Sequence, residues 1–101
     1  MTERAATITR KLRIFGKVQG VGYRAAFCDE ATRQGVTGWV RNRLDGSVEA
    51  LVQADATTLD RLTQWARKGP RLAAVSHVDV TEASADEAMQ RFNGIDTLPT
   101  R

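Results

Sequence analysis

Gly16-Lys17-Val18-Gln19-Gly20-Val21-Gly22-Tyr23-Arg24 is the stretch on which the reading of this 101-residue chain turns. Glycines at 16, 20 and 22 mark a turn between two segments of different period. Before it, Thr7 to Phe15 reads as a strand: Ile8, Leu12 and Ile14 share one parity, and Lys11 and Arg13 the other. After it, Tyr23 to Gln34 reads as a helix, with Tyr23, Phe27 and Ala31 on one face and Gly35 as its C-terminal cap. Further out, Val36 to Asn42 and Ser47 to Ala54 read as strands joined at Leu44-Asp45-Gly46, where Asp-Gly is a hairpin signal. Asp55 is an expected N-cap for a helix presenting Leu59, Leu62, Trp65 and Ala66, which Gly69-Pro70 ends. Residues 74–82 read as a fourth strand. Ala83 to Gln90 is ambiguous, and Phe92 and Ile95 are candidates for a short last strand. The order β-α-β-β-α-β predicts an α+β, ferredoxin-like sandwich: an antiparallel sheet with two helices on one face. Many unrelated activities share that architecture, so it names none of them.

Length and composition narrow the classes. A chain of 11.1 kDa, 42% hydrophobic and 27% charged, is one ordinary globular domain. The expected division is a loose N-terminus at residues 1–6, a domain at residues 7–95 and a loose tail at residues 96–101. Fifteen basic against twelve acidic side chains give a formal charge of +3, with the excess in the first half. That suits a small anionic ligand better than nucleic acid, which wants a denser basic patch. Cys28, the one cysteine, has no partner within the chain, which points to a reducing, cytoplasmic compartment. Residues 1–6 contain Glu3 and Arg4 and read as no signal peptide, and no apolar run reaches membrane-spanning length.

The glycine-rich turn carries the chemistry. Main-chain N–H groups at a helix start lack helical partners, and the helix dipole favours negative charge there. Glycines let such a turn wrap round an anion, phosphate above all. Arg24 opposes the dipole, a misfit that a bound anion would remove. A bland alternative stays open on these grounds alone: a sharp turn followed by a solvated arginine. The stretch matches neither the Walker pattern nor the dinucleotide fingerprint.

The same residues resemble the signature of the acylphosphatase family, in which Val18-Gln19-Gly20-Val21 is followed, after Gly22, by an aromatic residue and arginine. Gly38-Trp39-Val40-Arg41-Asn42 with Gly46-Ser47-Val48 resembles that family's second motif, and the likeness extends over roughly residues 7 to 95. Gly69-Pro70 and the strand after it agree with the family pattern. Ala54 stands where the second motif commonly has glycine, and Phe92-Asn93-Gly94-Ile95 carries one residue more than the family's usual last strand. The resemblance implies hydrolysis of acyl phosphates to a carboxylate and inorganic phosphate, without metal or cofactor. It assigns phosphate binding to Arg24 and the N–H groups of Val18, Gln19, Gly20, Val21, Gly22 and Tyr23. It assigns the positioning of the attacking water to Asn42.

Residue chemistry agrees independently. One His, one Cys and scattered carboxylates offer no plausible metal cluster or nucleophile–base pair. A site of Arg, Asn and amides supplies electrostatics and positioning but little acid–base power, which suffices for a carboxylate leaving group. An RNA-recognition module and a silent phosphate-sensing domain are the competing readings; the first wants exposed aromatics, and only Phe15 and Trp39 qualify. Of the remaining residues, Cys28 and Trp65 are expected in the core and His77 partly exposed. Tyr23 is expected under the loop, Trp39 in sheet packing, and Lys17, Arg41 and Arg43 facing solvent. A monomer is expected, with the Trp39 and Leu51 face as the place where that would fail.

Overall fold

The computed structural model describes residues 6–101; apart from Ala6, the segment expected to be a loose N-terminus lies outside the described residues. Eight elements follow in order: β1 (Ile8–Lys17), α1 (Tyr23–Arg33), β2 (Thr37–Asn42), β3 (Val48–Ala54), α2 (Ala56–Lys68), β4 (Ala74–Glu82), α3 (Ala85–Met89) and β5 (Ile95–Thr97). The strands lie in the order β4-β1-β3-β2-β5. Each neighbouring pair among the first four is antiparallel, as the sequence predicts, while β5 joins the edge parallel to β2.

Parity builds the core. Leu12 and Ile14 of β1, Val40 of β2, and Val48, Ala50 and Val52 of β3 share one sheet face. Tyr23, Phe27 and Ala31 of α1 and Leu59, Leu62 and Ala66 of α2 close over them. Trp65 sits at the rim, its ring centroid 5.7 Å from Tyr23 and 6.0 Å from Phe27. Asp55 takes the expected N-cap position, although its carboxylate accepts from the Thr58 hydroxyl rather than from a main-chain N–H.

The opposite face differs from expectation. Leu51 is fully buried there, flanked in register by Lys11 and Trp39. Residues 83–90, ambiguous in sequence, form the short α3, which begins with a reciprocal capping box between Ser84 and Glu87. Lys11 Nζ meets Glu87 at 2.7 Å and Gln53 Nε2 donates to the Gln90 carbonyl at 2.7 Å, tying α3 to this face.

The expected loose tail at residues 96–101 is also corrected. Thr97 pairs with Val40, the Leu98 N–H donates to the Val40 carbonyl at 2.9 Å, and the Arg101 N–H donates to the Asn42 carbonyl at 3.1 Å. The segment covers main-chain groups that β2 would otherwise leave open at the sheet edge. Among the described residues, no helix is long and apolar enough to cross a membrane.

Gly38 permits the tightest approach between β2 and β3. Its φ is +142°, and a Cβ there would stand 1.8 Å from the Leu51 carbonyl oxygen. Gly38→Ala is therefore expected to lose roughly 3 kcal/mol or more of stability, read from urea unfolding. A loss under about 1 kcal/mol would show that β2 shifts cheaply, contrary to its pairing on both edges.

Candidate active site

The turn after β1 is set by a register shift. Phe15 pairs with His77 but Gly16 with Val75, so β4 carries one extra residue, Ser76, opposite the end of β1. Val18 is then buried under the turn, and Gly20 and Gly22 adopt φ of +75° and +79°, values unfavourable to any residue with a Cβ. Gly22 is the N-cap of α1, contributes no side-chain cap, and no acidic residue occupies the first helical turn. Among the described residues, none of the main-chain N–H groups from Gln19 to Tyr23 donates to a main-chain acceptor. The positive end of α1 is thus left open to an anion.

Two side chains hold the turn. Tyr23 is buried among Phe27 and Trp65, and its hydroxyl donates to the Ala66 carbonyl of α2 at 2.8 Å. Burial pushes the phenol well above its ordinary range, so it stays neutral. Gln19 faces the other way: its Nε2 donates to the carbonyls of Arg43 at 2.8 Å and Ser47 at 2.9 Å, which flank the β2–β3 turn. The hairpin is itself braced. Asp45 accepts from both the N–H and the hydroxyl of Ser47 and pairs with Arg13 at 2.8 Å. The Ser47 hydroxyl, its N–H and Arg13 together pull the Asp45 carboxyl down to about 2.

Asn42 ends β2 on the core-facing parity, opposite Val48. Its Oδ1 is buried and, among the described residues, accepts no hydrogen bond, which leaves it free to accept one from a water or ligand. Asn42 lines one hollow of about 200 Å³ together with Val18, Gln19, Gly20, Gly22, Tyr23, Arg24 and Ala25. Among the described residues no carboxylate pairs with Arg24. Residues 18–24 and 42, distant in sequence, are brought together here. Val21 is the exception: its side chain packs against the core and does not line the hollow.

Sequence reasoning missed the support. Arg41 and Arg43, expected in solvent, both pair with Glu49, at 2.8 and 3.3 Å, and Glu49 is itself buried. The Arg41 guanidinium also lies 4.9 Å from the centre of the Trp39 ring. The cross-strand pairing of Arg41 with Glu49 held a signal, since opposite charges face each other once the hairpin register is set. Cys28 is half-buried against Thr97 rather than fully enclosed.

Chemically, the hollow offers donors for an anion and an acceptor for water. It holds no carboxylate, histidine or thiol to exchange a proton, and the Tyr23 hydroxyl is turned toward Ala66. Among the described residues, no group of three or more His, Cys, Asp or Glu could hold a metal ion.

The family model described as Acylphosphatase matches residues 10–94. The chain belongs to the acylphosphatase family. It is 53% identical over 98 residues to "Acylphosphatase" of Acidovorax sp. (strain JS42), covering 97% of this chain and 100% of that one. It is 52% identical over 91 residues to "Acylphosphatase" of Azoarcus sp. (strain BH72), covering 90% and 89%. Among solved structures, an acylphosphatase from Coxiella burnetii superposes with a TM-score of 0.83 at 29% identity, covering 91% of this chain and 93% of that one. Members of the family are hydrolases acting on acid anhydrides.

Gln19→Ala tests the bridge between turn and hairpin. Each carbonyl keeps a second donor, Gly46 N–H to Arg43 and Arg43 N–H to Ser47. The expected loss is therefore about 1–2 kcal/mol in chemical unfolding, for two hydrogen bonds without orphaned acceptors. Unchanged stability would mean that the carboxamide does not hold the turn.

Proposed function

We propose that this chain hydrolyses the carboxyl–phosphate bond of acyl phosphates, with Arg24 and the turn amides binding phosphate and Asn42 orienting the attacking water. The observation that carries the reading is the partnerless Oδ1 of Asn42 in the same hollow as Arg24. An acceptor beside an anion cup fits a water molecule held against a phosphorus atom.

In this mechanism the three non-bridging phosphoryl oxygens take hydrogen bonds from the N–H groups of residues 18–23 and from the Arg24 fork. Water donates one hydrogen bond to Asn42 Oδ1 and lies in line with the bridging oxygen. Asn42 is not basic, so a phosphoryl oxygen of the substrate takes the water's proton. The water oxygen bonds to phosphorus, the bridging P–O bond breaks, and its electron pair leaves on the carboxylate. Carboxylic acids have pKa values near about 4, so the leaving group departs as an anion at neutral pH without a proton donor. An alkoxide would need the general acid that the hollow lacks. The donor set is suited to phosphate rather than to a metal ion, and no cofactor enters the proposed reaction.

The proposed ligands are an acyl phosphate substrate and inorganic phosphate, for a monomer in a reducing, cytoplasmic setting, with no nucleic acid or membrane partner. In support, Trp39 is covered by Arg41, and the Phe15 ring stacks on His77 at 4.4 Å, so both rings expected to stack bases are engaged.

Benzoyl phosphate should be turned over at a rate unaffected by EDTA, and ethyl phosphate should not be hydrolysed measurably. Loss of activity in EDTA, or comparable rates on both, would overturn the reading. Asn42→Ala is expected to lower kcat by roughly 10²–10³ while inorganic phosphate inhibits as before. Arg24→Ala is expected to abolish both turnover and phosphate inhibition; tight phosphate inhibition in that variant would remove Arg24 from the cup.

A further inference from the structure

We infer that the segment after β5 is a positioning strap for Asn42, acting through the main chain of Arg101. The inference rests on the reading of Asn42 as the water-orienting group. One edge of Asn42 is fixed by β3, where it pairs with Val48. The other edge is fixed by Arg101. The Arg101 N–H donates to the Asn42 carbonyl at 3.1 Å, and the Leu44 N–H donates to the Arg101 carbonyl at 3.0 Å. Two bonds that straddle Arg43 in this way are the pattern of a parallel ladder. They extend, after a one-residue register shift, the run that begins with Gly38 opposite Ile95 and passes through the Leu98 N–H on Val40. Pro99, which has no N–H to give, stands between these two anchoring positions.

Without the strap, the last residue of β2 would be bonded on one edge only, next to the turn. Strand ends with open edges fray, and Asn42 carries its functional atom beyond its Cα. Misplacement of a positioning group by about 1 Å can lower a rate as much as roughly 10²-fold. The phosphate cup is built from residues 18–24 and has no bond to residues 98–101 among those described. Loss of the strap should therefore lower kcat and spare phosphate binding.

Arg101→Pro removes the N–H and leaves the rest of the strap extended; Arg101→Ala removes the guanidinium and keeps the N–H. Expected for Arg101→Pro is a roughly tenfold fall in kcat on benzoyl phosphate. KM and the inhibition constant for inorganic phosphate should stay within about twofold of the parent chain, and kcat for Arg101→Ala should be at least about fivefold higher than for Arg101→Pro. A chain cut after Thr100 lacks the same donor and serves if the proline variant does not fold. Equal kcat for the proline and alanine variants, or a parallel loss of phosphate affinity, overturns the strap. In the Asn42→Ala background, Arg101→Pro should lower kcat no further, because both changes act on one group; an undiminished tenfold effect there also overturns it. Retention of near-normal kcat by Asn42→Ala alone overturns the reading of the site on which the strap rests, and is separately visible.

Discussion

One carboxamide joins the two halves of this molecule that matter for chemistry. Gln19 reaches from the turn after β1 to the carbonyls of Arg43 and Ser47, across 24 and 28 residues of chain. The β1–α1 half carries the turn proposed to bind phosphate and the β2–β3 half carries Asn42. Neither half alone encloses a ligand. β1 and β2 are not neighbours, since β3 lies between them, so sheet hydrogen bonds cannot set the distance from turn to Asn42 directly. A polar side chain with two carbonyl partners does so instead. The hairpin that receives it is stiffened by the Arg13, Asp45 and Ser47 cluster on one side and by Glu49 with its two arginines on the other.

Much of the fold was legible because its signals are local. Alternation in β1 and β3, helical spacing in α1, and the Asp-Gly turn each depend on residues a few positions apart, and the structure follows them. The pairing order follows from the small number of layouts that accept the element order. The turn at residues 18–24 was legible in the same way, since Gly20 and Gly22 adopt positive φ there. Asn42 was legible only through resemblance, since nothing local marks an asparagine at a strand end as facing a turn twenty residues earlier.

Three features were not read. The segment of residues 98–101 is held by main-chain bonds to Val40 and Asn42, more than fifty residues away, and such bonds leave no pattern in side chains. Arg41 and Arg43 read as solvent-facing because charge ordinarily means exposure; their partner, buried Glu49, lies in the neighbouring strand, and its pairing with the two half-buried arginines offsets a charge it could not carry inside alone. The short α3 did carry a legible signal, Ser84 followed three residues later by Glu87, but without an apolar face it offered no period to support it.

Tyr23 has a kinetic consequence. The residue that ends the turn is also a central piece of the hydrophobic interior, anchored to α2 by its hydroxyl. The turn therefore cannot swing out as a lid without dismantling the packing between the two long helices. For the phosphate group proposed to bind there, the turn is a receptacle already shaped, with little ordering entropy left to lose. In the proposed reaction, no swing of this turn gates the entry of substrate or the escape of phosphate.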